Sequence, residues 1–125
     1  MRYTLLLHYP EMTAEDLGPE LLEEGQRAFA SYAAALDAAG VLLSAEVLQH
    51  SVSTTTVRLV DGAPQVQDGP FADTKEQLGG TFVVDVPDLD AALAWAGKAP
   101  AVAWGAVEVR PGAVYYADGS WRPNA

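Results

Sequence analysis

The order of patterned segments constrains this chain more than any single residue does: a strand and a long helix, a β-rich middle, then strand, helix and strand. Residues 2 to 9 set Tyr3, Leu5, Leu7 and Tyr9 against Thr4, Leu6 and His8, one fully apolar face and one mixed face. That suits a central strand covered on both sides. A helix follows, with Thr13 and Asp16 capping its first turn, Pro19 restarting it at N1, and Leu21, Leu22, Ala28, Phe29, Tyr32, Leu36 and Ala39 at helical spacing. Gly40 ends it. Residues 41 to 49 and 54 to 60 read as β, Asp61-Gly62 as a turn, and a short strand near Gln65 to Gln67 pairs back. Thr81 to Val86 is the next strand, Asp88 caps a helix to about Gly97, and Gly105 to Arg110 is the last core strand.

This order is the split βαβ arrangement of a ferredoxin-like, α+β domain with an antiparallel sheet. Both helices then cover one face of the sheet, and period-2 alternation says what the other face carries. Leu5, Leu7, Phe82, Val84, Val86, Val107 and Val109 should meet the helices, leaving Thr4, Leu6, His8, Thr81, Val83, Asp85, Ala106, Glu108 and Arg110 opposite. The second set is too apolar for open water and too polar for a dry core. A homodimer stacking these faces would bury the apolar members and leave a cavity lined by the polar ones.

A chain of 125 residues is long enough to bury about two-thirds of its unfolded surface in one domain. We read residues 1–117 as that domain and 118–125 as a turn-rich surface tail. Cysteine is absent, which removes disulfides and thiolate chemistry. The N-terminal apolar run is too short for a signal peptide or a spanning helix, so the expectation is a cytoplasmic protein without a membrane partner. With 7 Lys+Arg against 17 Asp+Glu, the formal charge of -10 repels phosphate backbones and argues against direct nucleic-acid binding. His8 and His50 stand too far apart, among scattered carboxylates, to suggest a metal site.

Asp68-Gly-Pro-Phe-Ala-Asp-Thr-Lys-Glu-Gln-Leu-Gly-Gly80 should be a shaped loop: Asp68 folds back on its backbone, Gly69 permits positive φ, and Pro70 lacks a donor. Phe71 and Leu78 should pin it to the core. The segment resembles the Asp-Gly-Pro-Phe signature of the YCII-related proteins, also called the DGPF or DGPFAETKE family, with Asp73 where that signature has Glu. Ala39-Gly-Val-Leu-Leu, Glu46-Val-Leu-Gln49, Val86-Pro-Asp-Leu-Asp90 with Trp95 in the helix after it, and Gly105-Ala-Val-Glu-Val-Arg-Pro111 resemble the family pattern in the same order. The resemblance implies a dimeric α+β barrel with a ferredoxin-like core, in a family whose activity is mostly unassigned.

His8 is the sharpest candidate for chemistry, since imidazole titrates near neutrality and a carboxylate can orient it as a base. The resemblance implies a His-Asp pair, with Asp73 and Asp85 both open as the acid; a satisfied buried histidine is the bland alternative. Asp68, Lys75 and Glu76 sit on the loop, and Glu46, Arg58 and Arg110 on strands, where they could orient a polar small-molecule ligand. The bland reading makes Asp68 a turn residue and pairs the arginines with neighbours such as Glu108. Two functions follow. One is a cofactor-independent lyase or isomerase using a dimer-interface cavity. The other is a non-catalytic ligand-sensing or accessory module linked to an extracytoplasmic-function sigma factor, an association that the resemblance implies.

Overall fold

A computed structural model describes residues 1–125, with eight strands and two principal helices. They run β1 (Arg2–Tyr9), α1 (Ala14–Ala38), β2 (Leu42–Val47), β3 (Thr55–Val60), β4 (Ala63–Asp68), β5 (Gln77–Asp85), α2 (Leu89–Ala96), β6 (Ala106–Pro111), β7 (Val114–Ala117) and β8 (Ser120–Pro123). The architecture is α+β and every paired strand is antiparallel. No helix is long and apolar enough to cross a membrane.

Local chemistry accounts for the helix ends. Thr13 and Asp16 form a reciprocal capping box, the Asp16 amide donating to the Thr13 hydroxyl at 3.1 Å and the Thr13 amide to the Asp16 carboxylate at 3.2 Å. Gly18 breaks the helical path with φ 78° and ψ 162°, and Pro19 restarts it. Asp88 caps α2 through the Ala91 amide at 2.9 Å.

Four strands form the main sheet in the order β2-β5-β1-β6, so β1 is bonded on both edges. Tyr3, Leu5 and Leu7 of β1 join Phe82 and Val84 of β5, Tyr32 and Leu36 of α1, and Ala92 and Ala96 of α2 in the core. Thr4, Leu6 and His8 alternate to the other face. The expected face assignment of β1, β5 and β6 therefore holds.

The β5 strand starts earlier than the glycine pair suggested. Gln77, Leu78, Gly79 and Gly80 lie inside it, and Gly79 is the extra residue of a bulge, Leu7 pairing with Gly80 and His8 with Leu78. The bulge turns Gln77 into the core and Leu78, 39% exposed, onto the open face. A Cβ at Gly79 would overlap the Tyr9 ring, whose hydroxyl donates to the Gly79 carbonyl at 3.1 Å. A Cβ at Gly105 would run into the His8 carbonyl oxygen. Glycine at these two places lets the flanking segments close onto the end of β1.

Two hairpins stand apart from this sheet, β3–β4 and β7–β8. Each turns on an Asp-Gly pair with positive φ at both residues, Asp61 and Gly62 in one, Asp118 and Gly119 in the other. The second hairpin replaces the expected surface tail. Trp121 stays exposed, and it is Asn124 that docks: its side chain accepts from the Arg2 amide at 2.7 Å and donates to the Arg2 and Gly112 carbonyls at 2.9 and 2.7 Å.

Tyr32 ties the two helices together, its hydroxyl donating to the Trp95 carbonyl at 2.8 Å while its ring meets Phe82 edge-on. Burial pushes this phenol up to about 12 from its ordinary 10.0. A raised folded-state pKa means that the stabilisation is complete below the unfolded value, near pH 10, and is lost as pH rises through 12. Tyr32→Phe should lower unfolding free energy by about 1 kcal/mol at neutral pH and flatten this alkaline loss, as denaturant titrations across pH will show. Gly79→Ala should cost about 1–3 kcal/mol by overpacking, most of it recovered when Tyr9 is also replaced by Ala. Gly105→Ala meets backbone and should cost more than Gly79→Ala in the same measurement.

Candidate active site on the open sheet face

Register places the polar residues of the open face in rows across the sheet. Glu46 pairs with Thr81, Thr81 with Leu6, and Leu6 with Glu108. The next row runs Ser44, Val83, Thr4 and Arg110. His8 lies beside Leu78 on one edge and Ala106 on the other, so Glu108 is its diagonal neighbour. The long glutamate closes that diagonal, with His8 Nε2 2.6 Å from Glu108 Oε1.

The imidazole and the carboxylate are in direct contact. His8 Nε2 is sealed from solvent, with the Glu108 carboxylate against it. The carboxylate is thus placed to orient the imidazole. The histidine side chain is only 26% exposed, while the glutamate keeps 57% of its exposure. A group approaching from the open side meets the carboxylate first and the imidazole behind it.

Neither expected aspartate touches His8. Asp85 holds the N-terminal ammonium at 2.6 Å, at the opposite end of β1 from His8. Asp73 accepts from Gln77 Nε2 at 3.0 Å, and the same amide donates to the Thr74 carbonyl. Gln77 is nearly buried, so it is Gln77 that pins the signature loop. Phe71 is 75% exposed instead of docked, with Arg58 stacked over its ring at 4.8 Å.

The remaining candidates divide between two places. Glu46 and Arg110 share the open face with His8 and are exposed, and Arg110 has no carboxylate within ion-pair distance. Lys75 and Glu76 are exposed on the signature loop, where the Thr74 hydroxyl donates to the Glu76 carbonyl at 2.6 Å. Asp68 ends β4 opposite Thr55, and with Asp73 and Ser51 it borders a shallow depression. No group of three or more His, Asp or Glu residues is arranged to hold a metal ion.

Glu108, in contact with His8, is the residue that the sequence reading passed over as the histidine's partner. Parity put it on the correct face, but the expectation had it paired with Arg110. The available signal was its place two residues beyond the position opposite His8, a diagonal that depends on exact register. Glu11 is a second omission. The Ser51 amide and hydroxyl both donate to its carboxylate, lowering its pKa and fastening the β1–α1 connection to the segment before β3.

Comparison with known proteins covers the whole of the main sheet. The YCII-related domain matches residues 1–112, leaving the β7–β8 hairpin outside the matched region. An uncharacterized protein of Rhizobium meliloti (strain 1021) is 33% identical over 117 residues, covering 92% of this chain and 94% of the relative. The chain belongs to the YCII-related domain family.

Proposed function

We propose that this protein is a cytoplasmic homodimer that carries out cofactor-independent acid–base chemistry, of lyase or isomerase type, on a small molecule held against the open sheet face. The observation that carries this reading is the His8–Glu108 pair: an imidazole beside a carboxylate at 2.6 Å, on a surface that lacks a cover. When His8 takes a proton from substrate, the adjacent carboxylate stabilises the imidazolium, and the same proton returns to the product. Arg110 and Glu46 supply opposite charges on the same face for orienting polar substrate groups. Asp73, Lys75 and Glu76 would act from the rim, and Asp68 by shaping the turn.

Two further features support the dimer. Only 15 of 125 residues are buried in the single chain, far short of what a domain of this length normally encloses. The β3–β4 hairpin leaves Val57, Leu59 and Val66 more than 60% exposed, and a lone hairpin of this kind is marginal in water. The order β2-β5-β1-β6 supports a ferredoxin-like core, and stacking two such sheets across the open face would give an α+β barrel with the His8–Glu108 pairs inside. The charge of -10 favours a second reading, an accessory module that grips a basic partner such as an extracytoplasmic-function sigma factor.

Sedimentation should show a dimer at micromolar concentration, and incubation with a metabolite mixture should show one component consumed by NMR. His8→Ala should keep the dimer and abolish consumption; Glu108→Gln should slow it by about 10²-fold or more. Undiminished turnover in His8→Ala would remove the histidine from the mechanism. A component that is bound but never consumed would instead favour the sensing module.

A further inference from the structure

On the opposite side of the sheet from His8, a cavity of about 830 Å³ opens between the start of α1, the end of β1 and the segment after β2. Its floor is a cluster of three rings, Tyr9, Phe29 and Trp104, with centroids 5.9 to 6.4 Å apart. The break at Gly18 sets the first turn of α1 apart from the rest of the helix, and both parts, through Leu17 and Leu21, line the opening. Met12, Leu21 and Trp104 remain 43%, 56% and 47% exposed around this one concavity. Apolar side chains gathered on a hollow, and not scattered singly, mark a place where something binds.

Gly25 makes the case sharper. It lies inside α1 with ordinary helical backbone, where glycine weakens a helix relative to alanine. Packing does not require it, because an added Cβ would sit 3.8 Å from the Trp104 ring, at normal contact distance. The position is open to a side chain and carries none, which keeps the space beside Trp104 empty.

The charge of the lining selects the occupant. The only ionisable groups at the mouth are Glu24 and His50, both exposed, and Glu11 lies next to the lining residue Pro10 with its carboxylate held ionised by Ser51. These acids, on a chain of net charge -10, repel anions. We infer that this cavity is a second small-molecule site, separate from the His8–Glu108 face, and that it takes a ring-bearing apolar ligand without negative charge, whose polar end meets His50 and Gln26 at the rim. A volume of 830 Å³ suits a ligand of several fused or linked rings.

Fluorescence titration of the full chain with two matched probes tests this: neutral N-phenyl-1-naphthylamine, and 8-anilinonaphthalene-1-sulfonate, which carries the same ring system with a negative charge. The neutral probe should saturate at one per chain, and the sulfonate should bind about tenfold more weakly or worse. Gly25→Leu should abolish uptake of the neutral probe while the melting temperature stays level or rises. Gly25→Ala, whose methyl group the structure accommodates, should weaken it by about threefold. Uptake that never saturates, equal affinity for the two probes, or undiminished uptake in both Gly25 variants would overturn the assignment. A change of oligomeric state in Gly25→Leu would overturn it too, in favour of a contact surface between copies of the chain.

Discussion

Everything in the main sheet depends on β1 being hydrogen-bonded along both edges. Its inner residues, Tyr3, Leu5 and Leu7, are buried against the helices, and Leu5 and Leu7 are completely enclosed. Its outer residues then have no freedom in where they point: Thr4, Leu6 and His8 must form the middle of the other face. A shift of one residue in either ladder would bring His8 into the core and expel leucine. The catalytic candidate is thus positioned by the same alternation that builds the hydrophobic core, and its orientation is as secure as the packing beneath it.

The end of β1 is where that regularity is relaxed. Gly79 bulges out of β5, Gly105 lets the chain before β6 pass against the His8 carbonyl, and Tyr9 fills the space so made. His8 stands on one side of this irregular edge and the aromatic cavity on the other. Both candidate sites therefore lie where the sheet stops being ideal, which is where a strand can present side chains to a ligand without breaking a ladder. Proximity of the two sites follows from their sharing consecutive residues, His8 and Tyr9.

Much of this was legible in the sequence, for identifiable reasons. Alternation in residues 2 to 9 and 81 to 86 is long enough to assign faces, and Thr13, Pro19 and Asp88 are strong helix punctuation. Gly79-Gly80 misled because glycine is a poor strand former, whereas here the glycines serve a bulge and a close approach that exist only in three dimensions. The β7–β8 hairpin was missed although Asp118-Gly119 has the same turn chemistry as Asp61-Gly62; its strands of four residues are too short to show a period. Choosing Glu108 over Asp85 as the neighbour of His8 needed register across β1 and β6, which periodicity alone does not supply. The cavity was hidden for another reason: Tyr9, Phe29 and Trp104 are far apart in sequence and each looks like ordinary packing.

The docking of Asn124 onto Arg2 has a consequence for how the chain is made. β1 is synthesised well before its partners, residues 77–85 and 106–111, and the backbone of Arg2 is completed by a side chain at position 124. No strand partner is available to Leu5 and Leu7 in the meantime, because every ladder that β1 joins closes across roughly 70 or more residues. On the ribosome this strand must wait, unpaired, until residues 77–111 have emerged. The sheet closes only when residues 106–111 arrive, and a translation product interrupted before them would carry β1 with an open edge.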